Sequence, residues 1–522
     1  MTTAAGSATQ SVSPTPPEEG GGVLSGPYRA LTLGIVSVVL LLAFEATAVN
    51  TAMPEAARQL DGFGLYAFAS SGYFTTTLFA MVLSGQWADR RGPVGPLFSG
   101  IAVFASGLVL SGTAANMWTF VAGRAVQGFG GGLVIVALYV VVGRSFPERL
   151  RPAVFAAFSA SWVVPSIVGP LVSGAVTEHV GWRWVFLAVP VLVLLPLAVM
   201  GPALRRSERA AGARELQTDP YDLRRLRLAA MAALGAGLLQ YAGHRRDLLG
   251  LVPGVLGAAL LVPAVLRLLP AGTLRAARGL PTVILLRGVA AGAFFAAELF
   301  IPLMLVTQRG LSVTMAGLAL SSGGLTWAAG SWLQGRPWAR AHRAAMIRLG
   351  FLLTSASIAG AALVLVPGAP AWVVAVAWVV GGAGMGMAVA TVSVLMMDLS
   401  APEDAGDNSA SLQLSDALGN VLVMGLAGVL FVSLGGGSPE AVATAAKGDV
   451  PPLPFAVILL VMAGLALVGA LLSGRVRPSG ERTAGARAAG EQAPGEWTAA
   501  AEAPGEQAVQ AEQAVGTTAE RR

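Results

Sequence analysis

Residues 94–142 read VGPLFSGIAVFASGLVLSGTAANMWTFVAGRAVQGFGGGLVIVALYVVV, and this stretch decides the fold. It contains two apolar runs, 94–115 and 118–142, separated by a very short turn. A run of about 20 apolar residues is long enough to cross a bilayer as a helix. One arginine, Arg124, stands inside the second run, where a charged side chain is costly and usually functional. The stretch therefore predicts a helical membrane protein with a buried charge.

The composition of the whole chain agrees with this reading. Of 522 residues, 55% are hydrophobic and 12% are charged, which is about half the charged fraction of an average soluble domain. The absence of cysteine excludes a disulfide framework and a thiolate metal site. The three histidines, His179, His244 and His342, never stand at ligand spacing. The single lysine, Lys447, follows an alanine, so no Walker A phosphate loop exists.

Between two polar tails we predict an all-α integral membrane protein with about fourteen transmembrane helices. A count of twelve remains open, with helices seven and eight as a hairpin at the membrane surface. The predicted helices are 30–52, 66–87, 94–115, 118–142, 152–177, 184–203, 226–243, 248–268, 282–306, 313–334, 345–367, 371–397, 410–434 and 453–474.

The distribution of positive charge predicts the orientation. If the amino terminus is cytoplasmic, most of the 34 basic residues fall in cytoplasmic segments, and they are densest between helices six and seven. Both termini are therefore expected in the cytoplasm of a multi-pass protein. The external segments then hold only Arg58, Arg183, Arg245, Arg246, Arg309 and Lys447.

The two halves of the chain resemble each other at a nearly constant offset. Glu45 corresponds to Glu298, 253 positions later, and Trp118 corresponds to Trp372. Three glycines in helix four recur in helix twelve in the same register. A duplication predicts two six-helix bundles with two extra helices between them, and a single site at their interface. The predicted segments are a disordered tail 1–29, a bundle 30–203, a basic loop 204–225, inserted helices 226–268, a bundle 282–474 and a disordered tail 476–522.

Five short motifs resemble those of the major facilitator superfamily, and in particular its fourteen-span drug:proton antiporter branch. Together they cover about residues 30–474, in the order and on the helices where that family has them. The motifs are GQWADRRG at 85–92, RAVQGFG at 124–130, GPLVSG at 169–174, AVNTAMP at 48–54 and GWRWVF at 181–186.

The resemblance assigns a conformational gate to three of these motifs. Asp89 is expected to act as a latch facing the positive end of the helix that starts near Asn408. Proline at position 170 removes a backbone hydrogen bond and is expected to give helix five a pivot. The gate residues so assigned are Gly85, Asp89, Arg90, Gly92, Gln127, Gly169, Pro170 and Gly174.

Buried charges predict where protons bind. Glu45 lies about seven residues from the outer end of helix one, and Arg124 lies about six residues from the same surface, so both are roughly 10 Å deep and can touch. A carboxylate beside a guanidinium stays ionised, and it takes up a proton when moved into apolar surroundings. Asp416 can pair with Arg287, whereas Glu298 lacks an equivalent arginine. The predicted proton-coupling residues are Glu45, Arg124, Glu298 and Asp416.

The resemblance implies a proton-driven exporter of hydrophobic or cationic small molecules, such as drugs or antibiotics, in the plasma membrane. The expected partners are the substrate, protons and the lipid bilayer, with no cofactor, metal, nucleic acid or obligate protein partner. Two alternatives remain: a facilitator or symporter that imports a metabolite, and a non-transporting receptor on the same fold. An enzyme is not expected, because no nucleophile–base or metal constellation is present.

Overall fold

Every long apolar segment of the sequence forms helix in the computed structural model, which describes residues 22–147, 149–211, 221–244, 250–401, 404–436 and 450–477. No strand occurs among these residues. The first nine helices are α1 Gly26–Gln59, α2 Tyr66–Arg91, α3 Val94–Gly112, α4 Met117–Ser145, α5 Arg151–His179, α6 Arg183–Leu192, α7 Leu194–Ala211, α8 Leu223–His244 and α9 Leu251–Leu268. The others are α10 Leu280–Arg309, α11 Val313–Gln334, α12 Pro337–Ala341, α13 Arg343–Ala362, α14 Val373–Leu399, α15 Ala405–Ser433 and α16 Leu453–Leu472. Single 3₁₀ turns cover Phe63–Leu65, Thr273–Arg275, Leu363–Leu365 and Ser473–Arg475.

Local sequence sets the ends of these helices. The Asn116 side chain caps α4 by accepting a hydrogen bond from the Thr119 N–H at 2.9 Å. The same helix stops before Phe146, whose extended backbone (φ −113°, ψ 136°) suits a residue that precedes proline. At the end of α10, Gly310 takes the left-handed conformation with φ 61°.

One predicted helix, 184–203, is interrupted in the structure. It forms α6 and α7, separated at Val193. Pro196 has no N–H to donate to the Leu192 carbonyl, which explains why α6 ends there. The second helix runs on to Ala211, so the start of the predicted basic loop 204–225 is helical. Residues 212–220 of that loop, and most of both predicted tails (1–21 and 478–522), lie outside the described residues.

Successive long helices run in opposite directions between two ends of the bundle. We call the end that carries the start of α1 the near end, where the Gly279 N–H donates to the Arg475 carbonyl at 2.9 Å. The opposite, far end carries Gln59, which accepts a hydrogen bond from the Trp182 indole at 3.0 Å. All helices described here belong to one compact unit that ends at Val476.

The predicted duplication recurs in the way the helices pack. A methyl group added to Gly130 in α4 would lie 2.6 Å from the Gly100 carbonyl oxygen of α3. At the corresponding Gly384 in α14, it would lie 2.6 Å from the Gly350 carbonyl oxygen of α13. The same glycine register therefore lets α4 approach α3 and α14 approach α13 at backbone distance.

Eleven helical segments of the described chain are long and apolar enough to cross a membrane, by length and composition. The long helices α2, α8 and α11 fall outside that set, because small polar residues or arginines dilute their apolar character. The protein is thus a multi-pass, all-helical membrane protein, and the count of fourteen spans stays a prediction.

Candidate functional site

An ion pair buried between α1 and α4 is the most distinctive polar contact of the amino-terminal half. The Arg124 guanidinium donates from Nη1 to Glu45 Oε1 at 2.5 Å and to Gln127 Oε1 at 2.6 Å. The two charged side chains are only 5% and 1% exposed. Counting residues along each helix predicts that Glu45 and Arg124 lie at the same depth, and in the structure the two side chains are in direct contact. Taking two such charges out of water is costly, and their mutual attraction offsets that cost only while the partners stay in contact.

Further groups complete this cluster. The Tyr73 ring of α2 lies 4.7 Å from the Arg124 guanidinium carbon, a cation–π contact. Three buried atoms, Glu45 Oε2, Arg124 Nε and Gln127 Nε2, have no hydrogen-bond partner among the described residues. Leaving buried polar atoms unpaired costs about 1–3 kcal/mol each. Of these three atoms only Glu45 Oε2 is a hydrogen-bond acceptor, so it is the acceptor of the cluster that has no partner among the described residues.

A second ion pair joins α10 to α15 in the carboxy-terminal half. Arg287 Nε donates to Asp416 Oδ1 at 2.5 Å, and its Nη1 lies 3.4 Å from the Ser393 hydroxyl. Asn420 Nδ2 lies 3.5 Å from the other carboxylate oxygen. These two charged side chains are 18% and 25% exposed, so this pair is more accessible to solvent than the pair of Glu45.

Glu298 lies on α10 without a charged partner. It is half-buried, and it makes no hydrogen bond or ion pair within the described part of the chain. One turn earlier on the same helix, Phe294 stacks on Trp378 with ring centroids 5.0 Å apart and meets Trp327 at 5.6 Å. In the repeat, Trp378 occupies the position that corresponds to Arg124. Glu45 therefore lies beside a guanidinium, whereas the half that contains Glu298 has an aromatic ring at the corresponding position.

The loop motif ends α2 at the near end. Gly92 has φ 82°, which favours glycine, whereas a methyl group on Gly85 would have room, with Val136 3.9 Å away. Arg90 donates to the Gln86 carbonyl at 2.9 Å.

The Asp89 carboxylate makes no hydrogen bond or ion pair with the described residues of α15, while its backbone carbonyl accepts from Arg144 at 3.3 Å. The latch between Asp89 and the start of α15 stays a prediction.

The helix-five motif lies at two interfaces at once. A methyl group on Gly169 would collide with Thr47 of α1, whose hydroxyl donates to the Pro165 carbonyl at 3.1 Å. On the other side of α5, a methyl group on Gly174 would lie 2.9 Å from the Thr314 backbone nitrogen of α11. The motif therefore permits close contact of the two halves.

The Pro170 carbonyl lies at the same interface. A methyl group added to Gly317 of α11 would lie 2.5 Å from the Pro170 carbonyl oxygen. Both α5 and α11 are therefore packed backbone to backbone in their far halves, as rocking elements require. Pro170 stands inside a helix that continues on both sides of it.

Sequence reasoning missed three polar groups that the structure brings into play. They are Tyr73 beside Arg124, Glu178 at the far end of α5, and Gln240 of α8. Their only sequence signal is a polar or ionisable residue inside or at the end of an apolar segment. Nothing in the local sequence identifies their partners.

Comparisons with known proteins place these features in a family. Residues 35–422 match the family profile described as Major Facilitator Superfamily. The "MFS transporter L2" of Phoma sp. is 34% identical over 161 residues, which is 30% of this chain and 27% of that protein. The "Multidrug transporter protein MdtP" of Bacillus subtilis is 29% identical over 156 residues, 30% of this chain and 29% of that protein. These alignments thus span less than a third of the relatives' own length.

The fold is also similar to that of solved transporters. A solved auto-inhibited peptide transporter of the POT family aligns with 85% of this chain and 96% of its own, with a TM-score of 0.62 and 16% identity. At that identity the likeness concerns the fold alone. The family match covers well over half of the sequence. The chain belongs to the Major Facilitator Superfamily.

Proposed function

We propose that this transporter is a proton-coupled exporter of hydrophobic or cationic small molecules that works by alternating access. Its driving force is the proton gradient, with no cofactor. Its partners are the substrate, protons and the lipid bilayer. It resides in the plasma membrane with both termini in the cytoplasm, and it needs neither nucleic acid nor an obligate protein partner.

The observation that carries the proposal is the buried pair of Glu45 and Arg124. Glu45 Oε1 lies 2.5 Å from Arg124 Nη1, and contact with a guanidinium in general favours the charged form of a carboxylate. If rocking withdraws α1 from α4, the same carboxylate is left in apolar surroundings and takes up a proton. Proton affinity then changes with the orientation of the cavity, and this change couples the gradient to transport.

The other proposed coupling acids differ in access. Asp416 is held by Arg287 and is partly exposed, so it is more accessible to solvent than Glu45 is. Glu298 has no cation paired with it among the described residues and lies one turn along α10 from Phe294 and Phe295, which suits a cationic substrate or a second proton. Drug export is supported by relatives whose names include multidrug transporters.

The test uses purified protein in liposomes with an imposed proton gradient and ethidium, a hydrophobic cation, as the probe. We expect the parent protein to concentrate ethidium against its gradient and to stop when a protonophore is added. Glu45→Gln should still bind ethidium but not concentrate it. Glu55→Gln is the matched control, because Glu55 lies on the same helix but pairs with Arg58, which is half exposed.

Two results would count against the proposal. Uphill transport by Glu45→Gln that still collapses with the protonophore would show that Glu45 is not the coupling acid. Transport by the parent protein that ignores the protonophore would favour a facilitator.

A further inference from the structure

Helix α8, which together with α9 lies between the two repeated halves of the sequence, contacts one helix of each half. It packs against both α2 and α15, which also pack against each other. Its partner α9 is held by close glycine contacts, since a methyl group on Gly235 would lie 2.7 Å from the Gly257 carbonyl oxygen and from the Leu261 nitrogen. The two helices therefore form a pair that meets the rest of the protein mainly through α8.

The contact with α2 is polar and is made at both ends of α8. The Ser71 hydroxyl donates to Gln240 Oε1 at 2.7 Å, and this contact is buried. At the near end, the Asp222 N–H donates to Gln86 Oε1 at 3.0 Å. The Arg90 guanidinium lies 4.4 Å from the centre of the Tyr221 ring, a second cation–π contact. Contacts at two separate levels fix both the tilt and the register of α8 on α2.

The contact with α15 has fewer polar links, although it is tight in one place, since a methyl group on Gly243 would collide with Val429. Gln240 Nε2 donates to the Val421 carbonyl at 3.2 Å, and at the near end Arg225 and Asp407 are 3.9 Å apart and largely exposed. An exposed pair of this kind contributes little. A groove of about 220 Å³, open to the surface, runs along this interface. It is lined by Ala236, Leu239, Gln240, Val421, Leu422, Gly425, Leu426 and Val429.

We propose that α8 and α9 are carried by α2 as part of the amino-terminal half, and that the interface between α8 and α15 is the seam that slides when the halves rock. Transport by rocking requires helices of the two halves to change register. A helix that touches both halves can stay attached to only one of them. Most of the polar contacts of α8 are with α2, and the open groove beside α15 leaves that helix room to move.

Paired cysteines test this directly, because the chain has no native cysteine. Gln240→Cys is combined either with Ser71→Cys on α2 or with Gly425→Cys on α15, where a methyl group would lie 3.0 Å from Gln240 Cγ. Both pairs share the same α8 position, and the three single-cysteine proteins are the controls. After cross-linking in liposomes, we expect ethidium transport to survive in the α2 pair. In the α15 pair it should fall at least tenfold and recover with reductant.

A distance measurement keeps the test independent of any substrate. Spin labels on Leu223 and Arg91 report α8 against α2, and labels on Leu223 and Gly406 report α8 against α15; all three residues are exposed. Between acidic and alkaline buffer, we expect the first distance to stay constant and the second to shift or become bimodal. A shifting first distance, a constant second distance, or cross-links that are both tolerated or both inhibitory would overturn the proposal.

Discussion

The carboxylate of Glu178, at the end of α5, accepts a hydrogen bond from the backbone N–H of Thr314, at the start of α11, with 2.8 Å between Oε1 and N. The first N–H groups of a helix have no partner within it. Ser312 satisfies one of them in α11 by accepting from the Met315 N–H at 3.3 Å, and Glu178 satisfies another from the opposite half. A negative charge at a helix amino terminus is also favourable. This contact joins the two halves at the far end.

Removing this cap should loosen the far end without unfolding the protein. We expect Glu178→Ala to raise hydrogen–deuterium exchange at the start of α11 by roughly 10- to 100-fold, because a hydrogen bond to a charged group contributes about 1.5–3 kcal/mol. Mass spectrometry of a peptide covering residues 312–320 measures the change. Glu178→Gln keeps a neutral acceptor and should have a smaller effect. Equal exchange in the parent protein and the alanine variant would show that the cap stabilises nothing.

The duplicated glycines should be equally intolerant of a methyl group. A methyl group on Gly128 would collide with the Tyr73 carbonyl, and one on Gly382 would collide with the Gly323 carbonyl. Both neighbours are backbone atoms, which cannot turn aside. We expect Gly128→Ala and Gly382→Ala each to destabilise by about 1–3 kcal/mol or more, seen as a lower melting temperature in detergent.

Gly143, on the same helix as Gly128, is the control for this prediction. Nothing lies within 4 Å of a methyl group there. Gly143→Ala should therefore melt at or above the temperature of the parent protein, because alanine favours the helix by about 1 kcal/mol over glycine. Equal melting temperatures for the alanine variants of Gly128 and Gly143 would contradict the close backbone approach.

The buried ion pair should show strong coupling between its two members. Arg124→Met leaves the Glu45 carboxylate buried without its cation, and breaking a buried pair in this way costs about 3–5 kcal/mol. Adding Glu45→Gln removes the stranded charge, so the double variant should recover much of that stability. Melting of the purified proteins in detergent gives the comparison. If the double variant is as unstable as the sum of the two single variants, the pair is not energetically coupled.

Much of the fold can be predicted because each membrane helix is a local feature. The apolar run that becomes α4 and the polar turn before it are visible in the sequence, and the depth of Glu45 and Arg124 follows from counting residues at 1.5 Å each. Arg287 and Asp416 can be matched by the same count. The glycine register is visible as well, because the repeat preserves it.

The rest depends on which helices become neighbours. Nothing near Gln240 in the sequence identifies Ser71 or Val421 as its partners, because these residues come from helices far away in the chain. The hydrogen bond of Glu178 to Thr314 likewise exists only because α5 and α11 converge at the far end. Hydropathy also undervalues α2 and α11, whose glycines, serines and threonines face other helices and serve close packing.

Glu298 should determine whether cationic compounds are exported better than neutral ones. It is half-buried, lies one turn from Phe294 and Phe295, and has no cation beside it among the described residues. An acid beside aromatic faces attracts a cation through its charge and through the ring quadrupoles, and the contact strengthens when water is excluded. We therefore expect Glu298→Gln to reduce export of ethidium about tenfold or more while leaving export of a neutral dye nearly unchanged. Transport of both dyes into inverted vesicles, with Glu55→Gln as the control, gives the comparison. Equal loss for the two dyes would assign Glu298 to proton coupling, and no loss for either would remove it from the site.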